Sequence, residues 1–240
     1  MRRDHRPYWL KKLHLKIQEA YARHFIKPQF DSLGDGFTFL NPWNIEVFGS
    51  PITIGRYANI ITTSDHKVRF TVWAKEKDKG KITIGDYCLI CPGVRISSAE
   101  EIIIADNCML ASSVYVTDAD WHGVYNRVHS LGDPKGVYIA ENAWIGDSAI
   151  ICKGVRIGEN SIVGAGSVVV QSVPPNVIAA GNPARVVRDL DPEIPFVKRA
   201  EWFADPALLN RDIDRLDRDN LAGNTFSHWL RTWLFPQNRD

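Results

Sequence analysis

The chain has 240 residues, 45% of them hydrophobic and 24% charged, with 29 Lys and Arg against 28 Asp and Glu for a formal net charge of +1. That length suits one good-sized domain, or one domain with extensions, and a substantial core. The balanced charge removes any chain-wide bias toward nucleic acid or membrane, and no apolar run approaches a membrane span.

The first thirty residues carry a local bias, because Arg2, Arg3, Arg6, Lys11, Lys12, Lys16, Arg23 and Lys27 oppose only Asp4 and Glu19. Within them "YWLKKLHLKIQEAYARHF" places Leu10, Leu13, Ile17, Ala20, Tyr21 and Phe25 on one helical face. The expectation for residues 1–45 is a basic amphipathic arm whose helix caps the structure that follows. The same pattern also suits an anionic membrane surface. Lys11, Lys12, His14 and Lys16 interrupt every stretch that could serve as a signal-peptide core, so a cytoplasmic location is expected.

From residue 46 to 190 the chain obeys a six-residue rule. Branched anchors stand at Ile54 and Ile60, at Ile84, Ile90 and Ile96, at Ile104, Leu110 and Val116, and without a break from Ile139 through Ile145, Ile151, Ile157 and Val163 to Val169. Across ten hexads the residue after the anchor is Gly, Ala or Cys, and the fourth after it is Ala, Cys, Val or Ser. Neither a helix nor a simple strand imposes such columns; a solenoid does. Each hexad reads as one short strand and a turn, three hexads as one triangular coil. The anchor points inward, and the Gly or Ala after it permits the turn. Cys88, Cys91, Cys108 and Cys152 fall in or beside the small columns, which marks them as fillers rather than as a redox pair.

Two segments break the period, near 63–81 and 117–136, and both read as inserted loops. The first, "TSDHKVRFTVWAKEKDKGK", ends in a charged tip. In the second, "VTDADWHGVYNRVHSLGDPKG", counting by six from Val116 lands on His122. A buried imidazole needs partners for both nitrogens, so a histidine in place of an anchor points to chemistry, with Asp118 and Asp120 as candidates to orient it. After the last coil, residues 191–240 read as a helical extension with Pro192, Pro195 and Pro206 between charged pieces. Its last segment puts Phe226, Trp229, Leu230, Trp233 and Leu234 on one stripe, expected to pack across a coil face or a neighbouring subunit, with weak peripheral membrane association as the second reading.

The hexads, above all "NAWIGDSAIICKGVRIGENSIVGAGSVVV" and the ending "VPPNVIAAGNPARVVR", resemble the hexapeptide-repeat acyltransferases, in particular the maltose- and galactoside-type sugar O-acetyltransferases. The resemblance spans roughly residues 50 to 190. It implies a mainly β fold, a left-handed parallel β-helix, a homotrimer, acetyl-CoA as acyl donor and a small hydroxylated acceptor, with no metal and no nucleic acid. On the matching positions it implies His122 as general base in direct transfer, and Asp147, Ala165, Val170, Gln171, Arg185 and Arg188 along the cofactor. From their own places in the sequence, Asn126 on the inserted loop and Trp144 beside the small column join Asp118 and Asp120 as acceptor-site candidates. Val170 and Gln171 stand where the family often has Thr or Ser followed by Lys. Cys91 and Ala99 replace the Asn and Asp expected on the acceptor side, so sugar specificity does not carry over. Two other classes stay open at this level: a zinc lyase of the γ-carbonic anhydrase type, for which His66, His122 and His129 are the histidines in the solenoid region, and a non-catalytic scaffold.

Overall fold

The structure is a computed structural model that describes residues 3–74, 79–128 and 131–237. Residues 21–201 form one compact unit and residues 1–20 with 202–240 a second. The larger unit is a parallel β-helix whose chain visits three sheets in turn. The first holds Ser32–Leu33, Ile52–Ile54, Ile82–Ile84, Ile102–Ile104, Val137–Ile139 and Arg156–Ile157. The second holds Thr38–Leu40, Asn59–Ile61, Leu89–Ile90, Met109–Leu110, Trp144–Ile145, Ile162–Val163 and the antiparallel pair Val177–Gly181 and Ala184–Asp189. The third holds Ile45–Phe48, Val68–Val72, Arg95–Ser98, Tyr115–Thr117, Ile150–Ile151 and Val168–Val169.

The predicted anchors stack in register. Ile54, Ile84, Ile104, Ile139 and Ile157 form one buried row. Ile60, Ile90, Leu110, Ile145 and Val163 form the next, and Phe70, Ile96, Val116, Ile151 and Val169 the third. Each anchor contributes on the order of 1.5–3 kcal/mol by leaving water. The small column at the fourth position is fully enclosed, including Ala58, Cys88, Cys108, Ala143, Ala149, Ser161 and Ser167. Cys88 and Cys108 donate to the carbonyls of Ala105 and Ala140 at 3.2 and 3.1 Å, and all four cysteines are free thiols.

The turn chemistry differs from expectation. The residue with positive φ lies third after the anchor, at Tyr57, Tyr87, Gly93, Asn107, Ser113, Asn142, Ser148, Gly154, Asn160 and Gly166. The small residue directly after the anchor answers a different demand, close stacking of coils. A Cβ on Gly146 would stand 2.6 Å from the Val163 carbonyl oxygen, and one on Gly158 would stand 2.2 Å from Pro175 N.

The two interruptions also resolve differently. Residues 68–72 of the first, read in the sequence as part of a loop, rejoin the third sheet, with Phe70 paired to Ile96 ten residues after the anchor Ile60 rather than six. The open end of the first coil is covered by Ala22, Ile26 and Phe30, whose ring meets Phe70 at 5.7 Å.

The smaller unit is helical. Its elements are α1 (Tyr8–Tyr21), most of which lies in this unit, then α3 (Pro206–Asn220) and α4 (Phe226–Leu234), with the short α2 (Arg199–Trp202) at the boundary. Asp205 and Thr225 cap α3 and α4 by accepting from Leu208 N and His228 N. Polar contacts join α1 to α3. Lys11 pairs with Asp217, while Lys12 and the Tyr8 hydroxyl both donate to Asp214, all at 2.6 Å. Of the expected apolar stripe, Leu13, Ile17, Ala20 and Phe25 are exposed, whereas Leu10 and Tyr21 are half-buried and Tyr21 packs on the β-helix core.

Candidate active site

The second interruption leaves the third sheet after Thr117 and returns at Val137. Its base is a short ladder in which Lys135 N donates to the Asp118 carbonyl and Gly132 N to the Asp120 carbonyl, both at 2.7 Å. The Asp118 carboxylate is fully buried and accepts from Ser98 Oγ at 2.7 Å, Ala99 N at 2.7 Å and Glu100 N at 2.9 Å. Burial pushes this carboxyl above the ordinary carboxylate value against the pull of those donors. Asp120 pairs with Lys153 Nζ at 2.6 Å, and the same ammonium donates to the Asp133 carbonyl at 2.6 Å, tying the loop to the next coil. Trp121 Nε1 reaches Tyr115 Oη and Thr117 Oγ1 at 3.1 and 3.2 Å.

These contacts hold the loop on both sides of His122, which is exposed and lines a depression of about 500 Å³ with Gly123, Val124 and Arg127. The structure thus places Asp118 and Asp120 as anchors of the loop rather than as partners of the imidazole. Asn126 is exposed and its side-chain oxygen accepts from Val128 N at 3.2 Å. His129 lies outside the described residues. Sequence reasoning passed over Lys153, Ser98 and Gly132. A Cβ on Gly132 would sit 2.9 Å from Asp120 Cβ and 3.0 Å from the His122 carbonyl oxygen, so the loop closes here only around a glycine.

The cofactor candidates fall on two edges of the prism. Trp144, half-exposed on the second sheet, leads to Asp147 and Ala165 at the edge between the second and third sheets. There Gly166 N donates to the Asp147 carbonyl at 2.7 Å. Gly166 has φ of +67°, yet a Cβ there would meet nothing within 4 Å, so the backbone is open to outside approach. Val170 and Gln171, both exposed, begin the edge between the third and first sheets. The His122 loop leaves from this second edge, and Cys152 N donates to the Val169 carbonyl one coil away. Arg185 and Arg188 are exposed on the final antiparallel strand.

The other hypotheses also meet the structure here. His66 lies at the edge between the second and third sheets, bonded through its backbone to Thr63 and Gly93, and pairs with Asp65 at 3.0 Å. His122 leaves from the other edge. Among the described residues, no group of three or more His, Cys, Asp or Glu comes together to hold a metal. The Cys88 thiol is pushed well up by its hydrogen bond with Cys108 and by burial, and burial raises Cys91. Both shifts disfavour the thiolate, the form that redox chemistry uses.

Comparison with known proteins agrees with this architecture. Residues 136–171 match the family model described as bacterial transferase hexapeptide (six repeats). The chain is 34% identical over 170 residues to the galactoside O-acetyltransferase of Escherichia coli K12, covering 69% of this chain and 67% of that protein. A hexapeptide-repeat acetyltransferase of Vibrio cholerae O1 biovar eltor, solved with acetyl coenzyme A, superposes with a TM-score of 0.52 at 27% identity, covering 75% of this chain and 85% of that one. An N-acyltransferase of Bacillus cereus, solved with dTDP and 3-hydroxybutyryl-CoA, shares the fold at 19% identity with a TM-score of 0.57, over 81% of this chain and 96% of that one. The columns, the coil topology and these relatives together make the chain a member of the hexapeptide-repeat acyltransferase family, with the left-handed parallel β-helix as its fold class.

Proposed function

We propose that the chain is an acetyl-CoA-dependent O-acetyltransferase that acts on a small hydroxylated acceptor, with His122 as general base. The observation that carries the proposal is the break in the hexad period: it puts an exposed imidazole over a depression, on a loop locked by Asp118, Asp120 and Lys153. Neutral His122 takes the acceptor hydroxyl proton as the oxygen attacks the thioester carbonyl, and the CoA thiolate leaves. A backbone N–H near the site would stabilise the tetrahedral oxyanion. No covalent enzyme intermediate is required.

The donor strip is assigned to Asp147 and Ala165, where Gly166 leaves backbone open to a flat pantetheine arm. Arg185 and Arg188 are assigned to the CoA phosphates, and Val170 and Gln171 to the edge below the loop. In one chain the third sheet lies between the donor strip and the His122 edge. A base must come within hydrogen-bond reach of the proton it takes. A neighbouring copy that presents its own Asp147 edge to the His122 loop satisfies this, which supports a homotrimer with composite sites. No helix of the described residues is long and apolar enough to cross a membrane.

The test is an acceptor screen with acetyl-CoA that follows free thiol. Acceptor-dependent thiol release is expected with a hydroxylated compound. Release absent with every acceptor, together with failure to retain CoA, contradicts the proposal.

A further inference from the structure

The helical unit leaves a large apolar stripe uncovered. Along α1, Trp9, Leu13 and Ile17 recur at four-residue spacing and are 55%, 47% and 53% exposed. Along α4, Phe226 and Trp233 are 48% and 63% exposed, whereas Thr232 is buried and donates back to the Trp229 carbonyl at 2.8 Å. The two stripes are continuous: the Trp9 and Phe226 rings stack at 6.0 Å, and Phe226 meets Trp229 at 5.5 Å. Ion pairs cross the inner side of the unit, where Lys11 and Lys12 turn to Asp217 and Asp214, beside the buried Leu221.

Charge identifies the occupant of this face. The helical unit carries 11 Lys and Arg against 8 Asp and Glu, a net +3, while the β-helix unit carries 18 against 20, a net −2. Three of the carboxylates, Asp4, Asp214 and Asp217, are held in pairs with Arg6, Lys12 and Lys11. On the α1 wheel the charged residue nearest the stripe is the exposed Lys16, and α4, "FSHWLRTWL", contains no carboxylate. A Trp- and Phe-rich stripe with a cationic border is the composition of a helix that lies in a lipid interface. At 14 and 9 residues these helices are too short to span one.

We infer that the Trp9–Leu13–Ile17 and Phe226–Trp229–Trp233 face is a docking surface for an anionic lipid bilayer. Docking of the helical unit tethers the β-helix, through the same chain, to a membrane surface. The docking itself is independent of the transfer chemistry and stands or falls without it.

The experiment is cosedimentation of the full-length protein with vesicles of phosphatidylcholine alone and of phosphatidylcholine mixed with phosphatidylglycerol. Binding to the anionic vesicles is expected, weakening as salt is raised. A Leu13→Gln, Trp233→Gln double variant removes exposed apolar area only, and binding is expected to drop about tenfold or more at unchanged helical circular dichroism. Lys16→Glu, which leaves the apolar stripe intact, is expected to weaken binding to the anionic vesicles alone. Protein that stays in the supernatant with both vesicles overturns the inference, as does equal binding to neutral and anionic vesicles. A double variant that still pellets like wild type overturns it too. Light scattering provides the final arm: a double variant that loses assembly mass, from a wild type that ignores vesicles, reassigns the face to a second copy of the chain.

Discussion

The two units of this chain solve the same folding problem with opposite materials. The β-helix puts branched anchors inside and pairs its backbone coil to coil, so its interior contains rows such as Phe70, Ile96, Val116, Ile151 and Val169 with almost no side-chain charge. The helical unit joins α1 to α3 through Tyr8, Lys11, Lys12, Asp214 and Asp217 and leaves Trp9, Leu13, Ile17, Phe226 and Trp233 exposed. The difference teaches which unit sets the geometry of catalysis. A close-packed apolar prism transmits position to the His122 loop, whereas a partly exposed ionic joint is worth little in water.

The largest effect is expected in the prism. Ile151→Ala leaves a cavity between Val116 and Val169 and should cost about 2–5 kcal/mol, measured as a shift in the denaturant midpoint of the β-helix. A loss below 1 kcal/mol would mean that the coils do not act as one core. The loop should inherit this rigidity. Gly132→Ala forces a Cβ against Asp120 and the His122 carbonyl, and should slow transfer by about 10- to 100-fold with little change in melting of the β-helix.

Acid separates the units further. Hydrogen bonds from Lys12 and Tyr8 hold Asp214 far below the ordinary carboxylate value, and Arg6 holds Asp4 down. Burial lowers His14, so the fold also disfavours its proton. A group depressed in the fold contributes stability above its unfolded value and loses it as pH falls through the folded one. All three groups therefore weaken the helical unit in acid. The buried Asp118 runs the other way: its raised value gives a contribution complete in acid that declines as pH rises through the folded value. Exposed Glu46, lowered by Lys67 and then Arg69, opposes Asp118 within the β-helix but at the surface. Hydrogen exchange below about pH 4 should show protection lost in 8–20 and 206–234 while 82–169 stays protected. Simultaneous loss in both would erase the contrast. The smallest effect belongs to Lys12→Ala, expected to cost at most about 1 kcal/mol by thermal unfolding of the helical signal, since the pair is partly exposed and screened.

The sequence displayed the prism because a six-residue rule leaves two visible columns, and every anchor from Ile54 to Val169 is in fact buried. It displayed the loop because His122 stands where an anchor should. The positive-φ column was hidden, since Tyr57, Asn107, Ser113 and Gly154 share a conformation and not a chemistry. Asp118 and Asp120 were visible as acids near a histidine, but their partners Ser98, Ala99 and Lys153 are remote in sequence and meet them only once coils stack. The first-loop strand at 68–72 escaped because four extra residues displace its anchor to Phe70. The helical extensions were legible as amphipathic but not in their orientation. A stripe does not say whether it faces protein or surroundings, and the ion pairs that turn α1 outward join residues about 200 positions apart.

The proposed transfer chemistry turns on His122. Steady-state transfer from acetyl-CoA should be compared between wild type and His122→Ala, with CoA retention measured on both. We expect turnover to fall by about 10²- to 10⁴-fold, the range for loss of a positioned general base, while CoA retention is unchanged. A variant that keeps full turnover would contradict the mechanism.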